Sequence, residues 1–91
     1  MKTLEYEKLT IYEVEALSEE LHSYLVNAEL TLDLDLKNVT KLDLSAIQLL
    51  LSTEKTCTSN NIKFNLHGLN NLNINTLELC GCASLLGITH E

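Results

Sequence analysis

Two segments of the chain alternate strictly between apolar and polar residues. Residues 30–36 place a leucine at every second position, and residues 62–67 repeat the alternation with mixed apolar residues. Because successive side chains of a strand point to opposite faces, this period of two predicts two strands, each with one apolar and one solvent-exposed face. A weaker alternation over residues 3–8 predicts a third, shorter strand.

The polar residues of the two clear strands are expected to share the exposed face of a sheet. Asp33 and Asp35 alternate with the leucines of the first strand, and Lys63 belongs to the second. An ion pair between Lys63 and these carboxylates is within reach, although exposed pairs of this kind contribute only about 0–1 kcal/mol. We therefore predict solvated charges here rather than a catalytic carboxylate pair.

Apolar residues at three- and four-residue steps predict an amphipathic helix over residues 11–26. Ile11 is the first residue of its apolar stripe, which is expected to face the core. Thr10 and Glu13 have the spacing of a capping box, in which each side chain satisfies the other's free backbone N–H. The helix is thus expected to start directly after Thr10.

A second helix is predicted after Asp43, and it runs to about Ser59. Asp43 is expected to cap its first turn, because its carboxylate can accept a hydrogen bond from a backbone N–H that has no partner within the helix. Asn60 and Asn61 form the predicted stop, because asparagine tolerates the left-handed conformation. The predicted buried positions are Ala46, Ile47, Leu50, Leu51 and Cys57, and the polar stripe comprises Gln48, Ser52, Lys55 and Ser59.

The end of the chain holds a third helix, predicted over about residues 72–80 and ended by Gly81. Residues 83–88 form a last strand or a loop, and the pattern favours neither. Strands and helices alternate, which predicts an α/β fold with a small, mostly parallel sheet of about four strands and right-handed crossovers. Since two strands have a polar face, the helices are expected to lie on one face of the sheet.

Composition limits the classes of function. The chain has 91 residues, 45% of them hydrophobic, which suits a single domain, residues 1–91, with one modest core. Its net charge of −7 disfavours nucleic acid and anionic membranes as partners. No apolar run is long enough to cross a bilayer, and the charged N-terminus is unlike a signal peptide. Three cysteines, an odd number, favour reduced thiols and a cytoplasmic location.

Residues 34–50, LDLKNVTKLDLSAIQLL, resemble the central motif of STAS domains. These are anti-sigma-factor antagonists and the related domains attached to sulphate transporters. Their motif is an apolar strand ending in Asp-Leu, a turn with valine, an apolar residue, Asp, and small or hydroxyl residues at the start of a helix. The resemblance extends from about Leu9 to Gly81. It implies a non-enzymatic module that binds another protein and needs no cofactor or metal.

In this family the hydroxyl residue directly after the motif's Asp is phosphorylated by the partner kinase, and phosphorylation ends binding. Leu44 occupies that position here, and Ala46 replaces a glycine. The resemblance therefore implies protein binding without the usual phosphorylation switch, and Ser45 is the neighbouring residue that a kinase could modify. The form Asp-Leu-Ser-Ala-Ile-Gln-Leu-Leu is most similar to small stand-alone STAS domains encoded with chemotaxis or other signalling proteins.

Residues 30–51 are thus expected to be the functional end of a bacterial, cytoplasmic regulatory domain. The implied partner is an anti-sigma-type serine kinase, a chemotaxis-related kinase or a transporter ATPase. Leu44 and Leu49 are either an exposed pair at the interface or ordinary interior residues. The predicted partner-binding residues are Val39, Leu42, Asp43, Leu44, Ser45, Gln48, Leu49 and Ser52.

An alternative is a small thiol- or metal-dependent protein that uses Cys80 and Cys82. A structural zinc site needs about four ligands, and neither Cys57 nor His67 has a matching spacing. By the STAS resemblance, Cys80 and Cys82 fill positions where small or apolar residues pack, so both thiols are expected to be buried. No nucleophile–base pair is readable, so we predict no catalytic residue. A structural subunit of a larger assembly is a third possibility.

Overall fold

The computed structural model describes residues 1–28 and 30–90, and for Ala83 and His90 the backbone only. In chain order the elements are β1 (Lys2–Thr3), β2 (Lys8–Leu9), α1 (Val14–Asn27), β3 (Thr31–Asp35), β4 (Lys41–Leu42), α2 (Leu44–Ser59), β5 (Lys63–His67), α3 (Asn71–Leu79), α4 (Ala83–Leu86) and β6 (Thr89–His90). Four strands form one parallel sheet in the order β1–β3–β5–β6, and β2 pairs with β4 in a separate parallel ribbon. The predicted small parallel α/β sheet is confirmed.

The apolar face of the sheet is built from alternating positions on its two longest strands. Leu32 lies opposite Phe64 and Leu34 lies opposite Leu66, and all four side chains are at most 4% exposed. They join the buried side chains of the helices in one core. The helices cover this face, as the polar positions of the strands predicted. None of the helices in the described part of the chain is long and apolar enough to span a bilayer.

The N-terminal segment forms two short strands, so the single strand predicted over residues 3–8 is wrong. β1 pairs with β3, and the backbone N–H of Leu4 then donates to the Asp35 carbonyl oxygen (3.0 Å). Beyond this point the chain crosses to the ribbon, where Lys8 lies opposite Lys41. Alternation reports which face a side chain takes, and it carries no information on a change of strand partner.

α1 begins at Val14, later than predicted, because a turn precedes it. Half of the capping box forms: the backbone N–H of Thr10 donates to Glu13 Oε1 (3.3 Å), and the Thr10 hydroxyl donates to the same oxygen (3.0 Å). Residues 11–13 form the turn, in which Ile11 is 64% exposed. The predicted inward position of Ile11 is therefore wrong, since this residue is not part of the helical stripe.

α2 has the predicted limits. Leu51 is half buried against the core, and Thr53 is buried, with its hydroxyl donating to the Leu49 carbonyl oxygen (2.8 Å). Asn61 follows the helix with a φ of 57°, the left-handed conformation expected at its stop. The remaining predicted core positions of the helix are buried, namely Ala46, Ile47, Leu50 and Cys57.

α3 ends in a Schellman motif, and the chain then forms one more helix. The backbone N–H of Gly81 donates to the Glu78 carbonyl oxygen (3.1 Å), and that of Cys82 donates to the Leu77 carbonyl oxygen (3.0 Å). Gly81 has a φ of 68°, which glycine adopts without strain. Residues 83–88, predicted as a strand or a loop, form α4 and a turn that leads into β6.

On the polar face of the sheet, Asp33 bonds to residues of β5 other than Lys63. Its Oδ1 accepts the side-chain amide of Asn65 (3.1 Å) and lies 2.8 Å from His67 Nε2. The predicted ion pair between Lys63 and the carboxylates of Asp33 and Asp35 is therefore wrong. The reason is that the strand register places Asn65 rather than Lys63 opposite Asp33. Asp35 instead lies 3.8 Å from the Lys37 ammonium nitrogen.

The hydrogen bond with His67 is the main cause that holds the pKa of Asp33 below its ordinary value. Because the native pKa is below the unfolded one, the carboxylate stabilises the fold above the unfolded pKa, and this contribution is lost as the pH falls through the native pKa. We expect Asp33→Asn to lose less stability than the wild type between about pH 7 and about pH 3. Urea unfolding at both pH values measures this. Equal losses in the two proteins would exclude this role of Asp33, and Glu5→Gln, at an exposed position, is the control.

Candidate functional site

Asp43 joins the start of α2 to the turn ahead of α1. Its Oδ1 accepts the backbone N–H of Ala46 (3.1 Å), which confirms the predicted helix cap. Its Oδ2 accepts the backbone N–H of Ile11 (2.9 Å), a residue 32 positions earlier in the chain. The backbone N–H of Asp43 donates to the Leu9 carbonyl oxygen (3.0 Å). One residue therefore fixes the helix start and the backbone at Ile11 against each other.

Large apolar side chains near this carboxylate face solvent. Leu44 is 57% exposed, Ile11 is 64% exposed and Tyr12 is 90% exposed. Gln48 lies one helical turn beyond Leu44 and is also exposed. We refer to these four side chains as the Leu44 face. Exposed apolar residues gathered from two chain segments are typical of a surface that contacts another molecule.

The loop before α2 is held from below by Asn73 of α3. Asn73 is fully buried; its Oδ1 accepts the backbone N–H of Leu42 (3.2 Å), and its Nδ2 donates to the Val39 carbonyl oxygen (3.0 Å). The side chains of Val39 and Leu42, both predicted to bind a partner, are at most 3% exposed. They shape the loop from the inside, so direct contacts are left to the neighbouring residues.

Along α2, the other predicted contact residues differ in exposure. Gln48 and Ser52 are exposed, whereas Ser45 and Leu49 are half buried. Leu49 packs partly against the core, so Leu44 is the exposed member of the two leucines. The structure thus brings the predicted residues to one side of α2, with Leu44 as their most prominent apolar side chain.

Three residues of this site were not identified from the sequence. Ile11 fits the apolar stripe of α1, and Tyr12 directly follows it, so neither had a pattern that indicated exposure. Asn73 lies in the predicted third helix and within an asparagine-rich run, and neither feature indicated a buried support. The one available signal was Asp43, because a carboxylate that caps a helix with one oxygen has a second oxygen free to accept another N–H.

The α2 part of the surface around Leu44 carries no charge, and the neighbouring helix α1 is acidic. The stretch of α2 from Leu44 to Thr53 contains no charged residue. α1, which packs beside α2, contributes Glu15 in its first turn and Glu19 one turn later, and it contains no lysine or arginine. A complementary surface would therefore be apolar at its centre, with basic residues to one side.

The cysteines are placed differently from the prediction. Cys57 and Cys82 are buried, but Cys80 is exposed, so its predicted burial is wrong. The reason is its position as the cap of α3, directly before the left-handed turn at Gly81. Within the described residues, no three Cys, His, Asp or Glu side chains converge as metal ligands. Burial, together with the neighbouring Cys80 thiol, raises the pKa of Cys82.

A groove of about 380 Å³ lies between the carboxyl-terminal ends of α1 and α2. It is lined by His22, Leu25, Val26, Ala28, Thr56, Asn60 and Ile62. The lining contains one titratable side chain, His22, so it does not offer the paired groups that general acid–base catalysis uses. The groove lies at the other end of the two helices from the Leu44 face.

Comparison with known proteins agrees with the fold. A family model described as "Mlab, STAS domain" matches residues 7–87, which include the Leu44 face and all of α2. No curated protein matches the chain. Members of this family are typically non-enzymatic regulatory modules that mediate contacts between proteins. The chain therefore belongs to the STAS-domain family.

Proposed function

We propose that the chain is a non-enzymatic regulatory module that binds a partner protein through the Leu44 face. The proposal rests chiefly on one observation: Leu44, Ile11 and Tyr12 are exposed around a single carboxylate that fixes both chain segments. The residues proposed to border the contact are Ser45, Leu49 and Ser52, and those proposed to shape it from beneath are Val39, Leu42 and Asp43.

The exposed side chains of this face can supply substantial binding free energy. Burying a leucine side chain completely contributes about 1.5–3 kcal/mol, and aromatic residues are the commonest anchors at interface centres. Tyr12 and Leu44 are the natural anchors here. Because Asp43 already fixes the backbone at Ile11, the turn has less conformational freedom to lose when it binds.

The partner class that we propose is a kinase or an ATPase of a signalling or transport system. The support is the resemblance of residues 34–50 to small stand-alone STAS domains, whose partners are anti-sigma-type serine kinases, chemotaxis-related kinases or transporter ATPases. The net charge of −7 and the acidic residues Glu15 and Glu19 favour a partner surface with lysine or arginine beside an apolar centre. The proposed location is the bacterial cytoplasm.

We also propose that this module binds without the usual phosphorylation switch, since Leu44 stands at the position of the modified hydroxyl residue. Ser45 is the neighbouring hydroxyl and is half buried. A phosphate on Ser45 would bring a charge of about −1.5 to −2 next to the Asp43 carboxylate and into an apolar contact. We expect Ser45→Glu to weaken partner binding at least about tenfold, or about 1.4 kcal/mol, and Ser45→Ala to leave it unchanged. Equal affinities of the two variants would exclude Ser45 from the contact.

The proposed function is tested by affinity capture from extracts of the source cells with the full chain as bait. We expect the wild type to retain a kinase or ATPase in near-stoichiometric amount, and Leu44→Arg to lose it. The reason is that an arginine places an unpaired charge in an apolar contact. Capture is also expected to weaken as salt rises, because of the acidic side of the surface.

Leu79→Arg is the matched control for this capture experiment. Leu79 is 90% exposed and lies at the carboxyl-terminal end of α3, so the same substitution is made away from the Leu44 face. We expect Leu79→Arg to retain the partner as the wild type does. A partner that Leu44→Arg still retains, or that both variants lose equally, would contradict the proposed docking surface. Circular dichroism of the three baits verifies that all are folded.

A further inference from the structure

The turn between α3 and α4 brings two thiols together and exposes only one of them. Cys80 caps α3 and is exposed, whereas Cys82 is 7% exposed. The Cys82 Sγ lies 3.7 Å from the Cys80 carbonyl oxygen, so the Cys82 side chain is turned back toward Cys80. Neither residue belongs to the Leu44 face, and the proposed docking does not use them.

The Schellman motif at the end of α3 produces this arrangement. Gly81, in the left-handed conformation, reverses the chain so that Cys82 folds back and donates its backbone N–H to the Leu77 carbonyl oxygen (3.0 Å). The residue at this position of the motif usually supplies an apolar contact to the helix end, and a buried thiol suits that role. The space beside Gly81 is open to the rest of the described chain, since apart from Gly81 and its two chain neighbours no atom lies within 4 Å of the position that a β-carbon would take.

We propose that Cys80 and Cys82 are a redox-active pair that closes into an intramolecular disulfide by exchange with low-molecular-weight disulfides. The α-carbons of residues i and i+2 are at most about 7 Å apart. A turn shortens this distance into the range of about 4.4–6.8 Å that a disulfide requires. Cys57 is fully buried in α2 and is not part of the pair.

The exchange proceeds in two balanced steps. The Cys80 thiolate attacks one sulfur of the small disulfide, which forms a mixed disulfide and releases one small thiolate. The Cys82 thiolate then attacks the Cys80 sulfur, which forms the Cys80–Cys82 bond and releases the second small thiolate. Two protein thiols are oxidised, one small disulfide is reduced, and the two protons of the protein thiols pass to the released thiolates.

The different exposure of the two cysteines determines the order in which they react. Cys80 is accessible to a small disulfide and is therefore the attacking thiol, while Cys82, beneath the turn, resolves the mixed disulfide. Because burial disfavours the thiolate of Cys82, the second step accelerates as the pH rises.

Oxidised glutathione and the purified full chain test the pair, with intact mass and peptide mapping as the readout. We expect the wild type to lose two hydrogen atoms, to carry no lasting glutathione, and to contain a bond between residues 80 and 82 that dithiothreitol reverses. In Cys82→Ser, the reaction is expected to stop at glutathionylated Cys80, with roughly tenfold more adduct than in the wild type. Cys57→Ser is the control and is expected to behave as the wild type.

The oxidation product of the wild type tests the proposal without any variant, so the test does not depend on whether the variants fold. A wild type that keeps glutathione on Cys80, that stays fully reduced, or that forms a bond to Cys57 would overturn the pairing. If Cys82→Ser fails to fold, Cys82→Ala replaces it, because alanine also fits a small apolar position.

Discussion

Asn73→Ala is expected to lower the unfolding temperature by about 10 °C or more. The substitution leaves the backbone N–H of Leu42 and the carbonyl oxygen of Val39 without their partners in a fully buried position. Each unsatisfied buried group costs about 1–3 kcal/mol, so the total loss for the two groups is about 2–6 kcal/mol. This is a large part of the roughly 5–15 kcal/mol by which a small domain is stable. Thermal unfolding followed by circular dichroism measures the change.

Asn75→Ala is the matched control for this prediction. Asn75 lies in the same helix but is exposed, so its replacement removes an asparagine without stripping a partner from the loop before α2. We expect Asn75→Ala to unfold within about 0.5 kcal/mol of the wild type, as is usual for surface substitutions. If the two variants were equally stable, Asn73 would not be the support of the loop.

Asp43→Ala is expected to reduce both the stability and the partner affinity of the chain. It removes the cap of α2, which costs about 0.5–2 kcal/mol, and it also releases the backbone of Ile11. Without that second bond, the turn that carries Ile11 and Tyr12 is no longer fixed beside Leu44. The turn must then become ordered when the partner binds, and this loss of conformational entropy weakens the affinity. Urea unfolding and titration calorimetry with the captured partner measure the two effects.

Asp43→Ser separates the two roles of this carboxylate. A serine hydroxyl caps a helix about as well as an aspartate, but it reaches only one acceptor position and cannot also bind the N–H of Ile11. We therefore expect Asp43→Ser to recover most of the stability lost in Asp43→Ala while its affinity for the partner stays low. Recovery of full affinity in Asp43→Ser would show that the bond to Ile11 has no part in binding.

Local patterns predicted the elements that depend on local chemistry. α2 starts after Asp43 and ends before Asn60, as the capping carboxylate and the asparagine stop indicated. The alternation in β3 and β5 likewise gives the buried leucines and Phe64 their inward positions. In both cases the pattern that predicts the element lies within a few consecutive residues, so a short window of sequence contains it.

The features of the candidate site that escaped prediction depend on contacts between distant segments. Ile11 is exposed because its backbone is bound by a carboxylate 32 positions later, which competes with the helical stripe of α1. Asn73 supports a backbone segment 31 to 34 positions earlier in the chain. Such bonds leave no periodic pattern, since they involve one polar side chain and backbone groups that every residue possesses.

Hydrogen exchange of the chain, alone and with its captured partner, tests the docking proposal most directly. We expect the partner to slow exchange at residues 11–13 and in the first two turns of α2, and to leave α4 and β6 unchanged. These are the segments that Asp43 holds together and that present the Leu44 face. Slower exchange confined to α3, α4 and β6, with residues 11–13 and the start of α2 as in the free chain, would contradict it.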